Sequence, residues 1–306
     1  MCLRPMSASC GLHLATRSHP EATQERSQVF ILRYTASRCG VPGSSEGMRA
    51  FGIFAFLLAA SMAVSAQVSD QKAVALGQAA TYAMSGGSTI TDITLTGSAN
   101  RNDGTTTLSG PIVLKATATH ISRVDFSVST DAAIEFRDSS TRIPKGSIVD
   151  GSGAIHEMAI HNCWSDVSWF APLLSLLANS AHSNLIFRYV GTEVYNGMPV
   201  DHIRIKRHLR RERPEVGVLV SKLSATDILL DRSSELPLVI RYNTHPETNA
   251  SLNIPAEVEF SAYQKIASGQ TIPFRVTRRQ GGVTTDVQVV GAAINSGVPV
   301  SNPTAR

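Results

Sequence analysis

From Ile93 onward the chain is built largely of short runs in which apolar and polar residues alternate one by one. Ile93 and Leu95 alternate with Thr94 and Thr96; Ile112, Leu114, Ala116 and Ala118 alternate with Lys115, Thr117 and Thr119; Val124, Phe126 and Val128 alternate with Arg123, Asp125, Ser127 and Ser129. A period of two puts the apolar side chains of a strand on one face and leaves the other wet, which is the pattern of an antiparallel sheet with one buried side. Turn chemistry lies between the runs. Asn102-Asp103-Gly104 separates the first two, Asn196-Gly197 separates residues 185–195 from 198–206, and Gly281-Gly282 turns the last pair. An Asn-Gly pair between alternating runs is a strong local hairpin signal, because both central residues of the favoured turn need positive φ. Further strands are predicted at 227–231, 236–243, 256–263, 272–278 and 283–292. The expected fold class is mainly β with α: about eleven strands in a single curved antiparallel sheet, a half-open β-barrel.

A sheet with one apolar face must be covered, and two helical segments are available. Ser69-Asp70 can cap a first helix in which Ala73, Val74, Leu76, Ala79, Ala80, Ala83 and Met84 recur until Gly86-Gly87 stops it. The second lies in a long interruption of the strand pattern between Ile143 and Ser183. There Trp164, Val167, Trp169, Phe170, Leu173, Leu174, Leu176 and Leu177 form an apolar helical stretch holding both tryptophans, with Pro172 placing the helix start near Ala171.

Residues 48–66, MRAFGIFAFLLAASMAVSA, read as a secretory signal peptide. Arg49 is the positive start, 51–60 the apolar run, and Val64-Ser65-Ala66 the small-residue ending before Gln67. The apolar run is shorter than the ~20 residues a bilayer core demands. The expected organisation is therefore a non-native or disordered extension at 1–47, the signal peptide at 48–66, one half-barrel domain at 67–295, and a flexible tail at 296–306. The expected location is periplasmic or secreted.

Removing the leader changes the charge argument. Residues 1–66 hold six of the 28 Lys and Arg and three of the 24 Asp and Glu, which leaves 22 against 21. The basic balance of the whole chain is thus no argument for nucleic acid. Cys2, Cys10 and Cys39 also precede Gln67, so Cys163 is left alone and no internal disulfide can form in the exported part. No cysteine stands directly after the cleavage position, where Gln67 lies, which disfavours a lipid-anchored lipoprotein.

The chemistry-bearing motifs are few. His156-Glu157-Met158-Ala159-Ile160-His161 is one residue too long for the zinc-protease pattern H-E-x-x-H. Histidines five apart sit roughly 140° apart around a helix and on opposite faces of a strand, so neither element brings them to one metal. Cys163 could complete a metal or nucleophile site, but a lone buried cysteine acting as a small hydrophobe is the commoner case. Gly151-Ser152-Gly153 lacks the spacing of a nucleophile elbow, and there is neither a phosphate loop nor a dinucleotide fingerprint. The carboxylate pairs Glu257 with Glu259 and Asp227 with Asp231 read as solvent-face strand residues and turn ends. The most charged window, 204–215, holds six Arg and Lys, Arg213 included, before Pro214 breaks it. It reads either as a solvated loop or as a basic hairpin tip that touches anionic head groups or a partner protein.

Two stretches carry a family resemblance. Residues 191–205, GTEVYNGMPVDHIRI, resemble the G-x-E-x-x-G-x-x-x-x-x-I/L hairpin of the LolA/LolB-like family of periplasmic lipoprotein carriers, with Gly197 and Ile203 each one position later than that pattern places them. Asp227-Ile228-Leu229-Leu230-Asp231 followed by Glu235-Leu236-Pro237-Leu238 is similar to that family's W/Y-L-D-x-x-x-x-L-P hairpin, with Leu229 at the aromatic position and Tyr263 and Ile272-Pro273 in the strands that follow. The resemblance implies a half-barrel around an apolar cavity, closed by helices on its concave face and occupied by acyl chains. It supplies no catalytic residue, metal or cofactor. On this reading the protein is an exported, non-enzymatic binder of a lipid, acyl chain or other hydrophobic ligand, with an envelope protein as a further partner. Trp164, Trp169, Phe170, Leu173 and Leu177 are the cavity and lid candidates, since 169 or 170, 173 and 177 share one helical face. The alternative is a non-enzymatic envelope interaction or structural domain whose concave face is filled by its own helices.

Overall fold

The structure is a computed structural model that describes residues 68–303 except 129–131, 166–167, 178–183, 210–211 and 298–299. The proposed extension and signal peptide lie outside the described residues. A helix α1 (Gln71–Ser85) is followed by β1 (Asp92–Asn102), β2 (Thr107–Thr117), β3 (Ile121–Ser127), β4 (Ala132–Asp138), β5 (Lys145–Val149) and β6 (Ile155–Glu157). After a helix α2 (Ile160–Ser165) and a π-helix (Leu173–Leu177) come β7 (Leu185–Tyr195), β8 (Met198–Arg207), a helix α3 (Pro214–Leu223), β9 (Thr226–Asp231), β10 (Pro237–Thr244), β11 (Ile254–Lys265), β12 (Thr271–Gln280) and β13 (Val283–Ile294). No helix among the described residues is long and apolar enough to cross a membrane.

The thirteen strands form one antiparallel sheet in the order β6-β5-β4-β3-β2-β1-β13-β12-β11-β10-β9-β8-β7. The chain runs outward from β1 to the β6 edge and returns from the opposite edge, β7, to pair β13 with β1. The segment between Glu157 and Leu185 must therefore cross from edge to edge, and this crossing carries α2 and the π-helix over the sheet. The topology puts the cover where the apolar face needs it.

The sheet is strongly curved. The six-residue α2 touches both β5 and β10, which stand eight places apart in the strand order. In a flat sheet those strands would lie about 38 Å apart, whereas six helical residues span about 9 Å. Two glycines permit the close strand approach. A Cβ at Gly97, where β1 bulges against β13, would lie 2.0 Å from the Gln288 carbonyl oxygen, and one at Gly110 would lie 1.9 Å from that of Ser127. Any side chain there would force the strands apart. The Asn196-Gly197 hairpin forms as expected, with φ of 49° and 80°.

One core fills the concave face. Leu95 and Leu114, Phe187, Ile203 and Ile205, Ile228 and Leu230, and Ile272 and Val276 bury against Ala73, Ala80 and Met84 of α1 and against the π-helix. Asp70 caps α1 by accepting from the Lys72 N–H at 2.9 Å, and Gly86 closes it in the left-handed conformation. Just before the helix, the Asp70 N–H donates to the Phe187 carbonyl and the Ser69 hydroxyl bonds at Leu185 and Phe187. These residues cover part of the β7 edge, which would otherwise present unpaired backbone groups.

The structure adds to the sequence reading in three places. The sheet has thirteen strands against the expected number of about eleven, because β4, β5 and β6 add to the ten runs placed from sequence, and the interruption begins near Met158 and not near Ile143. The apolar stretch after Trp164 is not one helix. It breaks at Ser168, which has a φ of 55°, and resumes after Pro172 as a π-helix. In the charged window, residues 204–207 end β8 and 214–215 begin α3, with Pro214 at the helix start, while Arg210 and Arg211 lie outside the described residues.

Candidate binding cavity

At the end of the half-barrel where α2 bridges β5 and β10, the core gives way to a cavity of about 360 Å³. One wall is aliphatic and aromatic: Ile112 of β2, Val124 and Phe126 of β3 and Ile148 of β5. The other wall is polar: Glu135 and Arg137 of β4, Asn162 of α2, His245 and Glu247 after β10, and Arg278 of β12, with Trp169 between the two. The concave surface is therefore only partly apolar, which corrects the expectation of an apolar cavity.

Register explains the polar wall. Val124 and Ser122 of β3 pair with Glu135 and Arg137 of β4, so in β4 the charged residues share the inward face. Phe136, buried at 6 % exposure, turns outward. Its cross-strand neighbours are Arg123 and Ser147. Both bond to the C-terminal segment, Arg123 Nη1 donating to the Ser301 carbonyl at 3.1 Å and Ser147 Oγ lying 2.9 Å from Asn302 Oδ1. That segment lies across the outer face where Phe136 would otherwise meet solvent.

The inward charges form a compact set. Arg137 Nε donates to Glu135 at 2.8 Å, and Arg278 approaches the same carboxylate at 3.7 Å. β4 and β12 stand five places apart in the sheet, so this contact spans the bore of the half-barrel. Burial pushes the Glu135 carboxyl up, but the two guanidiniums outweigh it and the net direction is down. The Arg278 guanidinium lies 5.0 Å from the centre of the Trp169 ring, and that ring meets Phe170 edge-on at 5.5 Å.

Asn162 ties α2 to both sides of the bore. Its carbonyl accepts from Arg137 Nη1 at 2.7 Å, its side-chain amide donates to the His245 carbonyl and to Glu247, and its Oδ1 accepts from the His245 N–H. His245 is 5 % exposed, and burial pushes its imidazole below the usual range. The neutral ring donates from Nδ1 to the Leu252 carbonyl at 3.0 Å, which leaves Nε2 as an acceptor. Buried His245 Nε2 and buried Trp169 Nε1–H have no hydrogen-bond partner among the described residues. Two residues that line the cavity, His245 and Trp169, thus carry an unused acceptor and an unused donor.

The candidates from the sequence divide. Trp169 lines the cavity. Phe170, Leu173 and Leu177 are 2 %, 4 % and 0 % exposed and pack in the main core, where the π-helix meets α1. Trp164, half-buried, borders a crevice of about 20 Å³ with Leu176, Leu185 and Ile205. The paired histidines stand on separate elements: His156 Nε2 lies 2.8 Å from Asp150 Oδ2, and His161 Nε2 donates to the Pro246 carbonyl at 2.9 Å. Cys163 is 1 % exposed against the carbonyls of Met158 and Ala159, and burial pushes its thiol up. Among the described residues no three His, Cys, Asp or Glu side chains group as a metal site. Glu135, Arg137, Asn162, His245 and Arg278 were not singled out from the sequence. Their only signal was the run Ile134-Glu135-Phe136-Arg137, whose alternation fits either facing.

No family model matches the sequence, and no curated protein matches it. Among solved structures the chain is similar to a putative outer membrane lipoprotein-sorting protein domain from Vibrio parahaemolyticus, at 11 % identity over 75 % of this chain and 94 % of that one, with a TM-score of 0.49. It is similar to a DUF1329 family protein from Desulfovibrio piger at 12 % identity, 74 % and 95 % coverage and a TM-score of 0.47. It is also similar to a LolA superfamily protein from Nitrosomonas europaea at 7 % identity, 74 % and 94 % coverage and a TM-score of 0.46.

Proposed function

We propose that this chain is an exported binding protein that holds one amphiphilic ligand, a lipid or acyl chain with a polar end, in the cavity beneath α2. The observation that carries the reading is the division of that cavity into an aliphatic wall and a polar wall with a free buried donor on Trp169 and a free buried acceptor on His245. Its volume lies at the lower end of the range of about 300–1,000 Å³ found for ligand sites, which suits one chain and not several. The apolar body of the ligand would bind by leaving water, at roughly 25 cal/mol per Å², and the polar end would satisfy the two buried atoms. The mechanism is sequestration. The sulfur and the histidines that could suggest chemistry are each engaged in local contacts: Cys163 against carbonyls, His156 with Asp150, His161 with Pro246.

The test is titration with dansyl-undecanoic acid, read by energy transfer from Trp164 and Trp169. Saturable one-site binding is expected. Ile148 is 37 % exposed and lines the cavity, so Ile148→Trp fills it from a site with room to spare; affinity should fall roughly tenfold with the melting temperature little changed. Absence of saturable binding in the unaltered protein would move it to the alternative, an envelope interaction domain. Export is tested separately: protein from the envelope fraction should begin at Gln67, and a chain that retains residues 51–60 defeats the cleavage reading.

A further inference from the structure

A second and larger concavity lies elsewhere on the described surface. A groove of about 1270 Å³ runs beside α3, between that helix and the ends of β8 to β12. It is lined by six Lys and Arg side chains, Arg204, Lys206, Arg213, Lys222, Arg241 and Arg279, against three carboxylates, Glu212, Asp227 and Glu257.

The pairing decides what this charge is available for. Asp227 already accepts from Arg204 at 2.7 and 3.0 Å and lies 2.8 Å from His202. Glu257 accepts from Arg241 at 2.8 Å and from Arg279 at 3.4 Å, while Glu212 is held by Arg142 from outside the groove. Every acid of the lining is thus committed, and Lys206, Arg213 and Lys222 have no carboxylate partner among the described residues. Three unneutralised cations share one trench in which the other three, Arg204, Arg241 and Arg279, are fixed by their own ion pairs. Asn243 and Ser221 line the same trench and make no side-chain hydrogen bond with the described residues, and Val218 of α3 stands there 71 % exposed.

We infer that this groove is a docking site for an extended acidic peptide segment of a partner protein. The cations meet carboxylates, Asn243 and Ser221 meet peptide backbone groups, and Val218 meets an apolar side chain. Charge complementarity favours an anion, and shape favours a narrow one: Arg213 and Lys222 are exposed but Lys206 is half-buried, so a flat bilayer would meet the first two and not the third. The volume far exceeds that of a single small anion. The site is separate from the cavity beneath α2, so its success or failure is independent of ligand binding there.

The experiment is fluorescence polarisation with a labelled oligoglutamate peptide at low ionic strength. Binding is expected, weakening as salt is raised. The double variant Lys206→Glu/Lys222→Glu should lose roughly tenfold or more in affinity, whereas Lys265→Glu, at an exposed position outside the groove, should leave it unchanged. Far-ultraviolet circular dichroism and a melting curve on each variant separate lost binding from lost folding, and Lys206→Ala alone gives a milder second reading. No peptide binding at low salt, or equal losses in the groove variant and in Lys265→Glu, overturns the site. So does a groove-dependent preference for phosphatidylglycerol vesicles or inorganic phosphate over the peptide.

Discussion

Replacing Arg137 with alanine is expected to cost about 3–5 kcal/mol of stability, the usual loss when one partner of a buried ion pair is removed. The side chain is 6 % exposed and ties β4 to α2, holding Glu135 of its own strand through Nε and the Asn162 carbonyl through Nη1. Without it, Glu135 keeps only Arg278 at 3.7 Å, and the Asn162 carbonyl loses a charged donor. Urea unfolding at neutral pH, with the slope unchanged between variants, measures the loss. A difference under about 1 kcal/mol, the size of an exposed pair, would show that the cluster is solvated and the cavity more open than its lining implies. Lysine should recover only part of the loss, because it cannot span Glu135 and Asn162 with a planar fork.

The pH dependence has a definite sign. The folded pKa of Glu135 lies below its ordinary value of 4.5, so its contribution is fully present above that value and disappears as pH falls through the folded pKa. The stability gap between the unaltered protein and the Arg137 variant should therefore stay constant from neutral pH down to about 5 and narrow in more acidic solution. A gap that changes most between pH 6 and 7 would point to a histidine and away from Glu135.

The same residues mark where sequence reading succeeds and where it stops. Strands with one plainly apolar face, such as Ile112-Leu114-Ala116 and Val276 with its neighbours, were legible because burial and alternation agree. The hairpin at Asn196-Gly197 was legible because its turn needs backbone conformations that few residues adopt. β4 was not, because Ile134 and Phe136 alternate with Glu135 and Arg137 and either facing satisfies the pattern locally. The choice is made elsewhere, by the C-terminal segment that covers Phe136 and by Arg278 five strands away. α3 was hidden by the charge run before it, and the π-helix by an apolar run that local spacing cannot distinguish from an ordinary helix. The cavity is a product of long-range register, so its aromatic Trp169 could be named from sequence and its arginines could not.

Phe170→Ala is expected to cost about 3–5 kcal/mol while leaving affinity for an acyl probe within about twofold. Leu177→Ala should behave alike at about 2–5 kcal/mol. Phe170 and Leu177 are 2 % and 0 % exposed and belong to the packing of the π-helix, α1 and the sheet, outside the cavity lining. Trp169→Phe is the contrasting variant. It keeps an aromatic ring against Arg278 and Phe170 but removes the Nε1–H that has no partner, so stability should change by less than about 1.5 kcal/mol while probe affinity falls several-fold. Denaturant unfolding and probe titration on the same preparations read both quantities, with Trp164 retained as the emission donor. If the aromatic and leucine stripe were instead the inner surface of a ligand lid, the order would invert. Phe170→Ala and Leu177→Ala would lose little stability, having few packed neighbours to lose, and would lose most of the binding. A full core-sized loss at both positions with binding intact makes the π-helix a wedge that fills the half-barrel, with Trp169 as the point at which that wedge reaches the ligand.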